Sequence, residues 1–350
     1  MTNTTRVGVL GASGYTGADF VRLAARHPHI EIALLTANSH AGKRYGDVFP
    51  HLAMLDLPDL VTIEDADWSS VDAIVCGLPH GTTQAITKRL VREHPDVTVV
   101  DMSADFRLRD PATYVQWYGI EHGASELQGE AVYGLTEHYR DAIRGARIVA
   151  CPGCYPTAAL LALLPLARGG LIEATDIVID AKSGTTGAGR SPRENTLMAE
   201  AGEGLSPYGV GKHRHMAEIE QEIGLAAGIG DLRVNFTPHL VPMSRGELCT
   251  SYVRLSGATA DDLRDALSKQ YADEPFVHVA PAQTLPKTQM VRGSNHVVIG
   301  VVPDRIAGRA IVISTLDNLV KGSAGQAMQN LNLTRGYDEA LGLEQLPLFP

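Results

Sequence analysis

Cys154 stands in the run Cys151-Pro-Gly-Cys154-Tyr-Pro156-Thr157, between an apolar strand at residues 147–151 and an apolar helix expected at 157–166. Pro156 suits a first helical turn. The partial positive charge at a helix start stabilises a thiolate, so Cys154 is expected to be a nucleophile. The C-x-x-C spacing also admits a redox pair or half of a metal site. The chain has no second C-x-x-C, and Cys76 and Cys249 stand apart, which argues against a zinc cage. Cys151 ends an apolar strand and is expected to point into the core. No metal is expected.

A second element that could do chemistry is Gly11-Ala-Ser13-Gly14-Tyr15-Thr16-Gly17, between a strand expected at 6–10 and a helix at 15–26. Glycines in that context allow a tight turn and close approach of backbone to a pyrophosphate, which the helix N-terminus attracts. The spacing is G-x-x-G-x-x-G. A site for NAD places a carboxylate about 20 residues on, against the ribose. Residues 35–44 carry no carboxylate but offer Ser39, Lys43 and Arg44. This set accepts a 2′-phosphate, so NADP(H) is the expected cofactor. A thiolate beside a nicotinamide site suggests acyl chemistry coupled to hydride transfer.

These groups need a scaffold, and the hydrophobic pattern supplies one. Strands expected at 6–10, 30–35, 73–76, 97–101 and 147–151 alternate with helical stretches, which reads as an open parallel sheet with helices on both faces. Beyond residue 153 the pattern changes. Strands are expected at 177–181, 236–240, 248–255, 276–279, 296–302 and 310–314, with a clear helix at 260–271, as in a mixed sheet. The expected fold is thus α/β plus α+β: a Rossmann-type dinucleotide-binding domain and a mixed-sheet catalytic and dimerisation domain. A last helix at 317–330 suggests a chain crossing back. The expected boundaries are 1–150 plus 317–350 for the first domain and 151–316 for the second.

Composition narrows the class. The 350 residues carry 30 Lys+Arg and 40 Asp+Glu, a net charge of -10, which argues against a nucleic-acid or membrane-surface binder. No apolar run reaches the roughly 18–20 residues that span a bilayer. The first residues lack a signal-peptide pattern, and four cysteines are too few for a disulfide framework, so the cytoplasm is expected. The apolar end Leu346-Pro-Leu-Phe-Pro350 must pack or sit at an interface, and a homodimer or homotetramer is expected.

Six runs then occur together in order: Gly11–Gly17, Asp101-Met-Ser-Ala-Asp-Phe-Arg107-Leu, Cys151–Thr157, Gly211-Lys-His-Arg-His215, Pro238-His-Leu-Val-Pro-Met-Ser-Arg-Gly246, and residues 317–330. As a set they resemble the N-acetyl-gamma-glutamyl-phosphate reductase family of arginine biosynthesis, over nearly the whole chain. Aspartate-semialdehyde dehydrogenases are wider relatives. The resemblance implies NADPH-dependent reduction of an acyl phosphate to an aldehyde, with Cys154 carrying a thioester. It implies an imidazole to manage the proton, His213 first and His215 next, with Glu218 close enough to orient one of them. An extended stretch would put both histidines on one side.

By the same resemblance Arg107 is expected on phosphate. Arg190, Lys212 and Arg245, with Lys182 beside them, are candidates for the substrate's anionic groups. Ser183 and Gly184 would open a backbone nest against substrate or cofactor, and Asn318 would lie near the nicotinamide. One departure separates the chain from aspartate-semialdehyde dehydrogenases: their V-P-V-x-x-G-H pattern ends in histidine, whereas Gly246 here is followed by Glu247. Competing readings are the lysine-pathway acyl-phosphate reductase, aspartate-semialdehyde dehydrogenase itself, and a non-catalytic NADP-binding regulator.

Overall fold

The computed structural model describes residues 4–350, which form two compact units. The first runs to Pro152 and includes Ser323–Glu344; the second comprises Gly153–Gly322 and Gln345–Pro350.

The first unit contains β1 (Thr5–Leu10), α1 (Tyr15–Ala24), β2 (Ile30–Thr36), the single turn α2 (Tyr45–Val48), β3 (Leu60–Val61), β4 (Ala73–Cys76), α3 (Thr83–Glu93), β5 (Thr98–Asp101), α4 (Pro111–Tyr118), β6 (Ala131–Tyr133), α5 (Thr136–Arg144) and β7 (Ile148–Ala150). Its sheet has the order β3-β2-β1-β4-β5-β7-β6, with every pair parallel. Every residue of β4 and β5 is buried, as strands covered on both faces must be. Strand order reverses between β1 and β4, and ligands of such sheets collect outside the carboxyl ends at that point.

The second unit contains α6 (Cys154–Arg168), β8 (Ile172–Gly184), the single turn α7 (Met198–Ala201), β9 (Ser206–Pro207), α8 (His215–Ala227), β10 (Asn235–Val241), β11 (Glu247–Leu255), α9 (Ala260–Gln270), β12 (Val277–Val279), β13 (Val297–Pro303) and β14 (Arg309–Leu316). The sheet order is β12-β13-β14-β11-β8-β10-β9. It is mixed: β8–β10 and β12–β13 are parallel and the rest antiparallel. Helix α6 lies against β8, β11 and β14 and is buried from Tyr155 to Ala167. The fold class is that of the sequence: a parallel Rossmann-type sheet and a separate mixed sheet.

Two elements differ from expectation near the functional residues. Helix α8 has no counterpart in the hydrophobic pattern, because Glu218, Glu220 and Glu222 are buried along it and blunt the apolar stripe. The expected helix at 317–330 begins later, as a π turn at Val320–Ala324 followed by α10 (Gly325–Thr334). Asp317 is the reason. Its buried carboxylate accepts the N–H groups of Leu319, Val320 and Gly293, which ties residues 317–320 to the second unit. At the C-terminus the Leu348 N–H donates to the Arg292 carbonyl, while Leu346, Leu348 and Phe349 stay largely exposed. Among the described residues no helix is long and apolar enough to cross a membrane.

Candidate active site

Helix α6 opens at Cys154 itself, with Gly153 as the extended N-cap residue. The thiol therefore sits in the first turn, where unpaired N–H groups favour negative charge. Cys154 is partly exposed, whereas Cys76, Cys151 and Cys249 are buried. Burial pushes the Cys76 and Cys249 thiols well up, which keeps them protonated. Cys151 directly follows β7 in the core of the first unit, where the Asn330 amide donates to its sulfur at 3.5 Å.

Glycines let backbone close around Cys154. A Cβ at Gly322 would fall 2.8 Å from Cys154 Cβ, so the turn after β14 can pass the cysteine only with hydrogen at that position. A Cβ at Gly153 would fall 2.5 Å from His215 Nε2. That imidazole therefore packs directly on the residue preceding Cys154. Glu218 is nearby, and its Oε1 accepts the Gly153 N–H at 2.9 Å. The carboxylate expected to orient a histidine thus also holds the entry to α6.

The two histidines occupy different positions. The segment is a turn, not an extended stretch: Lys212 N–H bonds Gly209 O, and Met216 N–H bonds His213 O. His215 is the first residue of α8, and its N–H donates to His213 Nδ1 at 3.2 Å. The neutral His213 ring must then carry its proton on Nε2. Its ring lies 5.9 Å from Tyr155, 5.4 Å from Tyr208 and 5.5 Å from Phe236. Burial, with the Arg214 charge adding to it, pushes the His213 imidazole down to about 4. His213 is a neutral buttress at pH 7, and His215 is the imidazole against Gly153.

Glu247 is the residue that motif reading passed over. It opens β11, is fully buried, and pairs with Ser183 of β8 and Leu316 of β14. Neither of its carboxyl oxygens has a hydrogen-bond partner in the fold. Burial, opposed by the influence of Cys154 and helped by the charge of Asp317, pushes it up to about 8. The available signal was its place after Gly246, where the related dehydrogenases have histidine.

The loops around Ser183, Gly184 and Asn318 form one bonded set. Gly184 N–H donates to Gly246 O at 2.9 Å. A Cβ at Gly184 would fall 2.7 Å from Ser244 O. Asn318 Oδ1 accepts the Gly246 N–H at 2.9 Å, and its Nδ2 donates to Thr186 Oγ1 at 3.0 Å. One amide thus clamps the loop after β8 to the loop before β11.

The expected cations divide in two. Arg190 and Lys212 have exposed side chains. Arg245 is held by Asp317 at 3.4 Å, and Lys182 bonds Asp180. Arg107, in the first unit, is buried. Its Nε donates to Cys151 O at 2.7 Å and its Nη2 to Met102 O at 2.8 Å.

The glycine loop follows β1 at the switch point. Gly11 has φ +72°, and a Cβ there would fall 2.9 Å from Gly77 O, in the loop after β4. Gly14 is the extended N-cap of α1, Tyr15 and Thr16 begin the helix, and a Cβ at Gly17 would fall 2.8 Å from Gly11 O. Helix and strand therefore approach as dinucleotide sites require, with no acidic residue in the first turn. Ser39, Lys43 and Arg44 are exposed beyond β2. The residues present fit a 2′-phosphorylated dinucleotide.

Comparison with known proteins agrees with this arrangement. Residues 6–146 match the family described as "Semialdehyde dehydrogenase, NAD binding domain", and residues 154–318 match "Semialdehyde dehydrogenase, dimerisation domain". The chain is 56% identical to an N-acetyl-gamma-glutamyl-phosphate reductase of Afipia carboxidovorans, over 99% of both chains. It is 56% identical to the protein of that name from Rhodospirillum rubrum, over 100% of both. A probable chloroplastic N-acetyl-gamma-glutamyl-phosphate reductase of Arabidopsis thaliana is 54% identical, over 99% of this chain and 85% of its own. In fold, the chain is similar to aspartate semialdehyde dehydrogenase II of Vibrio cholerae, with TM-score 0.73 and 20% identity over 96% of this chain and 100% of the other.

Proposed function

Because this chain belongs to the semialdehyde dehydrogenase family, in its N-acetyl-gamma-glutamyl-phosphate reductase branch, we propose that it reduces N-acetyl-gamma-glutamyl phosphate to N-acetyl-glutamate 5-semialdehyde with NADPH, in arginine biosynthesis. The observation that carries the chemistry is Cys154 in the first turn of α6, with the His215 imidazole packed on Gly153 beside it.

In this reading Cys154 Sγ attacks the acyl carbon and the bond to phosphate breaks, leaving a thioester. When bound, NADPH would supply the hydride that reduces the acyl carbon. His215 takes the hydroxyl proton of the thiohemiacetal on Cys154, and the aldehyde is released as the sulfur leaves. Gly11, Ser13, Gly14, Tyr15, Thr16 and Gly17 would hold the pyrophosphate, and Ser39 and Lys43 the 2′-phosphate. Ser183, Gly184 and Asn318 would shape the nicotinamide site. Exposure supports Arg190 and Lys212 as ligands of the substrate's anionic groups. Arg107 and Arg245, already bonded within the fold, would act by holding their loops in place or by sharing a guanidinium edge with phosphate.

Assembly as a homodimer or homotetramer would use the second unit, whose sheet presents Val178 and Tyr252 at more than one-third exposure. The net negative charge and the bacterial relatives support a cytoplasmic setting.

The test is the reverse reaction. N-acetyl-glutamate semialdehyde, phosphate and NADP⁺ should give phosphate-dependent NADPH that disappears in Cys154→Ser. Turnover of aspartate semialdehyde instead would move the chain to the sister branch, and full turnover by Cys154→Ser would end the thioester reading.

A further inference from the structure

The loop before β13 carries Arg292, which lies outside the six sequence runs. Its side chain is partly buried, and a guanidinium is charged at every working pH. The other partly buried cations of this unit are matched inside the fold: Lys182 by Asp180, Arg245 by Asp317, Arg264 by Asp261 and Arg309 by Asp176. Among the described residues no acceptor meets the Arg292 guanidinium; it is the backbone carbonyl that is bonded, by the Leu348 N–H at 2.8 Å. A cation drawn from water without an acceptor is costly, so Arg292 calls for an anion from outside the fold.

The loop is fixed toward Cys154, with Asp317 as the hub. Its Oδ2 accepts the Gly293 N–H at 2.7 Å, and its Oδ1 holds Arg245 Nη1 at 3.4 Å. Its backbone carbonyl accepts the Gly322 N–H at 3.0 Å, and Gly322 is the residue whose Cβ would fall 2.8 Å from Cys154 Cβ. A Cβ at Gly246 would fall 2.8 Å from Thr288 Cβ, so the start of the loop borders the turn that carries Arg245. Arg292 is thus linked to Cys154 through Asp317 and Gly322.

We propose that Arg292 binds the carboxylate of the substrate and selects for it. The inference deepens the functional reading above and rests on it. Phosphate is bonded to the acyl carbon that Cys154 attacks. The carboxylate lies at the far end of the glutamyl chain, and a cation set back from Cys154 by an intervening turn suits that end. The planar fork of a guanidinium bonds both carboxylate oxygens. Asp317 holds the loop before substrate arrives, so little order is lost on binding.

The reverse reaction separates the two anions, because N-acetyl-glutamate semialdehyde carries the carboxylate and inorganic phosphate is a second reactant. Arg292→Gln should raise the KM for the semialdehyde about 10- to 100-fold, the range for a lost hydrogen bond to a charged group, with the KM for phosphate little changed. Arg292→Lys should recover part of the loss. 4-Acetamidobutanal is the same aldehyde with hydrogen in place of the carboxylate. A site built to bond a polar group rejects the analogue lacking it, so the wild type should use this aldehyde as poorly as Arg292→Gln does. On the wild-type chain, N-acetyl-glutamate semialdehyde should protect Arg292 from phenylglyoxal, read by peptide mass spectrometry, and 4-acetamidobutanal should not.

A rise in the phosphate KM alone, or a folded Arg292→Gln with the wild-type KM for the semialdehyde, would overturn the proposal. So would an equal loss on both aldehydes or, should the variants not fold, phenylglyoxal labelling that the semialdehyde leaves unchanged. A wild-type chain that does not turn over N-acetyl-glutamate semialdehyde fails the functional reading itself, and this inference with it, before any variant is compared.

Discussion

The imidazole of His215 fills the space that a side chain at position 153 would need: a Cβ on Gly153 would lie 2.5 Å from Nε2. The His215 ring and the N-cap of the helix that Cys154 opens are therefore one packed unit, with the Gly153 N–H held by Glu218. Gly153→Ala should displace the ring. A misplacement of about 1 Å costs on the order of 100-fold in rate. Steady-state kinetics should show that loss in kcat while the far-UV spectrum stays native. An alanine variant with wild-type kcat would remove His215 from the reaction.

His215 and His213 should separate in both activity and stability. His215→Ala should lose about 100- to 10,000-fold in kcat, the range for general acid–base catalysis. His213→Gln should lose far less. Its signature lies in the pH dependence of folding. The folded His213 has its pKa lowered to about 4, below the ordinary 6.5, so between those values the unfolded chain binds more protons. Its contribution is fully favourable above pH 6.5 and is lost as pH falls through the window, with a slope of at most about 1.4 kcal/mol per pH unit. Denaturant melts at pH 5 and pH 7.5 should therefore differ less in His213→Gln than in the wild type.

Asn318 clamps two loops through its one side chain, accepting from Gly246 N–H and donating to Thr186 Oγ1. Asn318→Ala leaves a buried backbone donor unsatisfied, a loss of about 1–3 kcal/mol. Thermal unfolding should fall by several degrees, and the KM for NADPH should rise because the loop from Ser183 loosens. Unchanged NADPH affinity, measured by fluorescence titration, would separate this clamp from the cofactor site.

Lys43 follows β2 in an exposed loop pinned by backbone bonds, Gly42 N–H to Leu60 O and Leu60 N–H to Lys43 O. A carboxylate there would repel a 2′-phosphate and suit ribose hydroxyls. Lys43→Glu should lower the ratio of kcat/KM for NADPH over NADH at least tenfold, through KM. An unaltered ratio would leave the discrimination to Ser39 and Arg44.

Much of the fold was legible because its strands are short apolar runs with helices or turns between them. The strands at 73–76, 98–101 and 148–150 are buried throughout, as strands covered on both faces must be. Helix α4 was missed although Asp110-Pro111 signals it, with the Asp110 carboxylate accepting from Ala112 and Thr113. Helix α8 was harder, because its buried glutamates hide its apolar face.

Local sequence by itself determined where Cys154 and the glycine loop of residues 11–17 stand. Both are short contiguous runs whose chemistry follows from a strand meeting a helix: Cys154 in a first helical turn, and Gly11, Gly14 and Gly17 at a tight one. Tertiary structure alone decided what surrounds that cysteine. Residues 154, 215, 247 and 322 lie far apart in the chain, and β-sheet register, glycine clearances and a turn before α8 bring them together. Burial then set their proton affinities: Glu247 is raised because β11 runs through the sheet interior, and His213 is lowered because Tyr155, Tyr208 and Phe236 surround it. Desolvation depends on everything packed around a group, so no run of neighbouring residues encodes it.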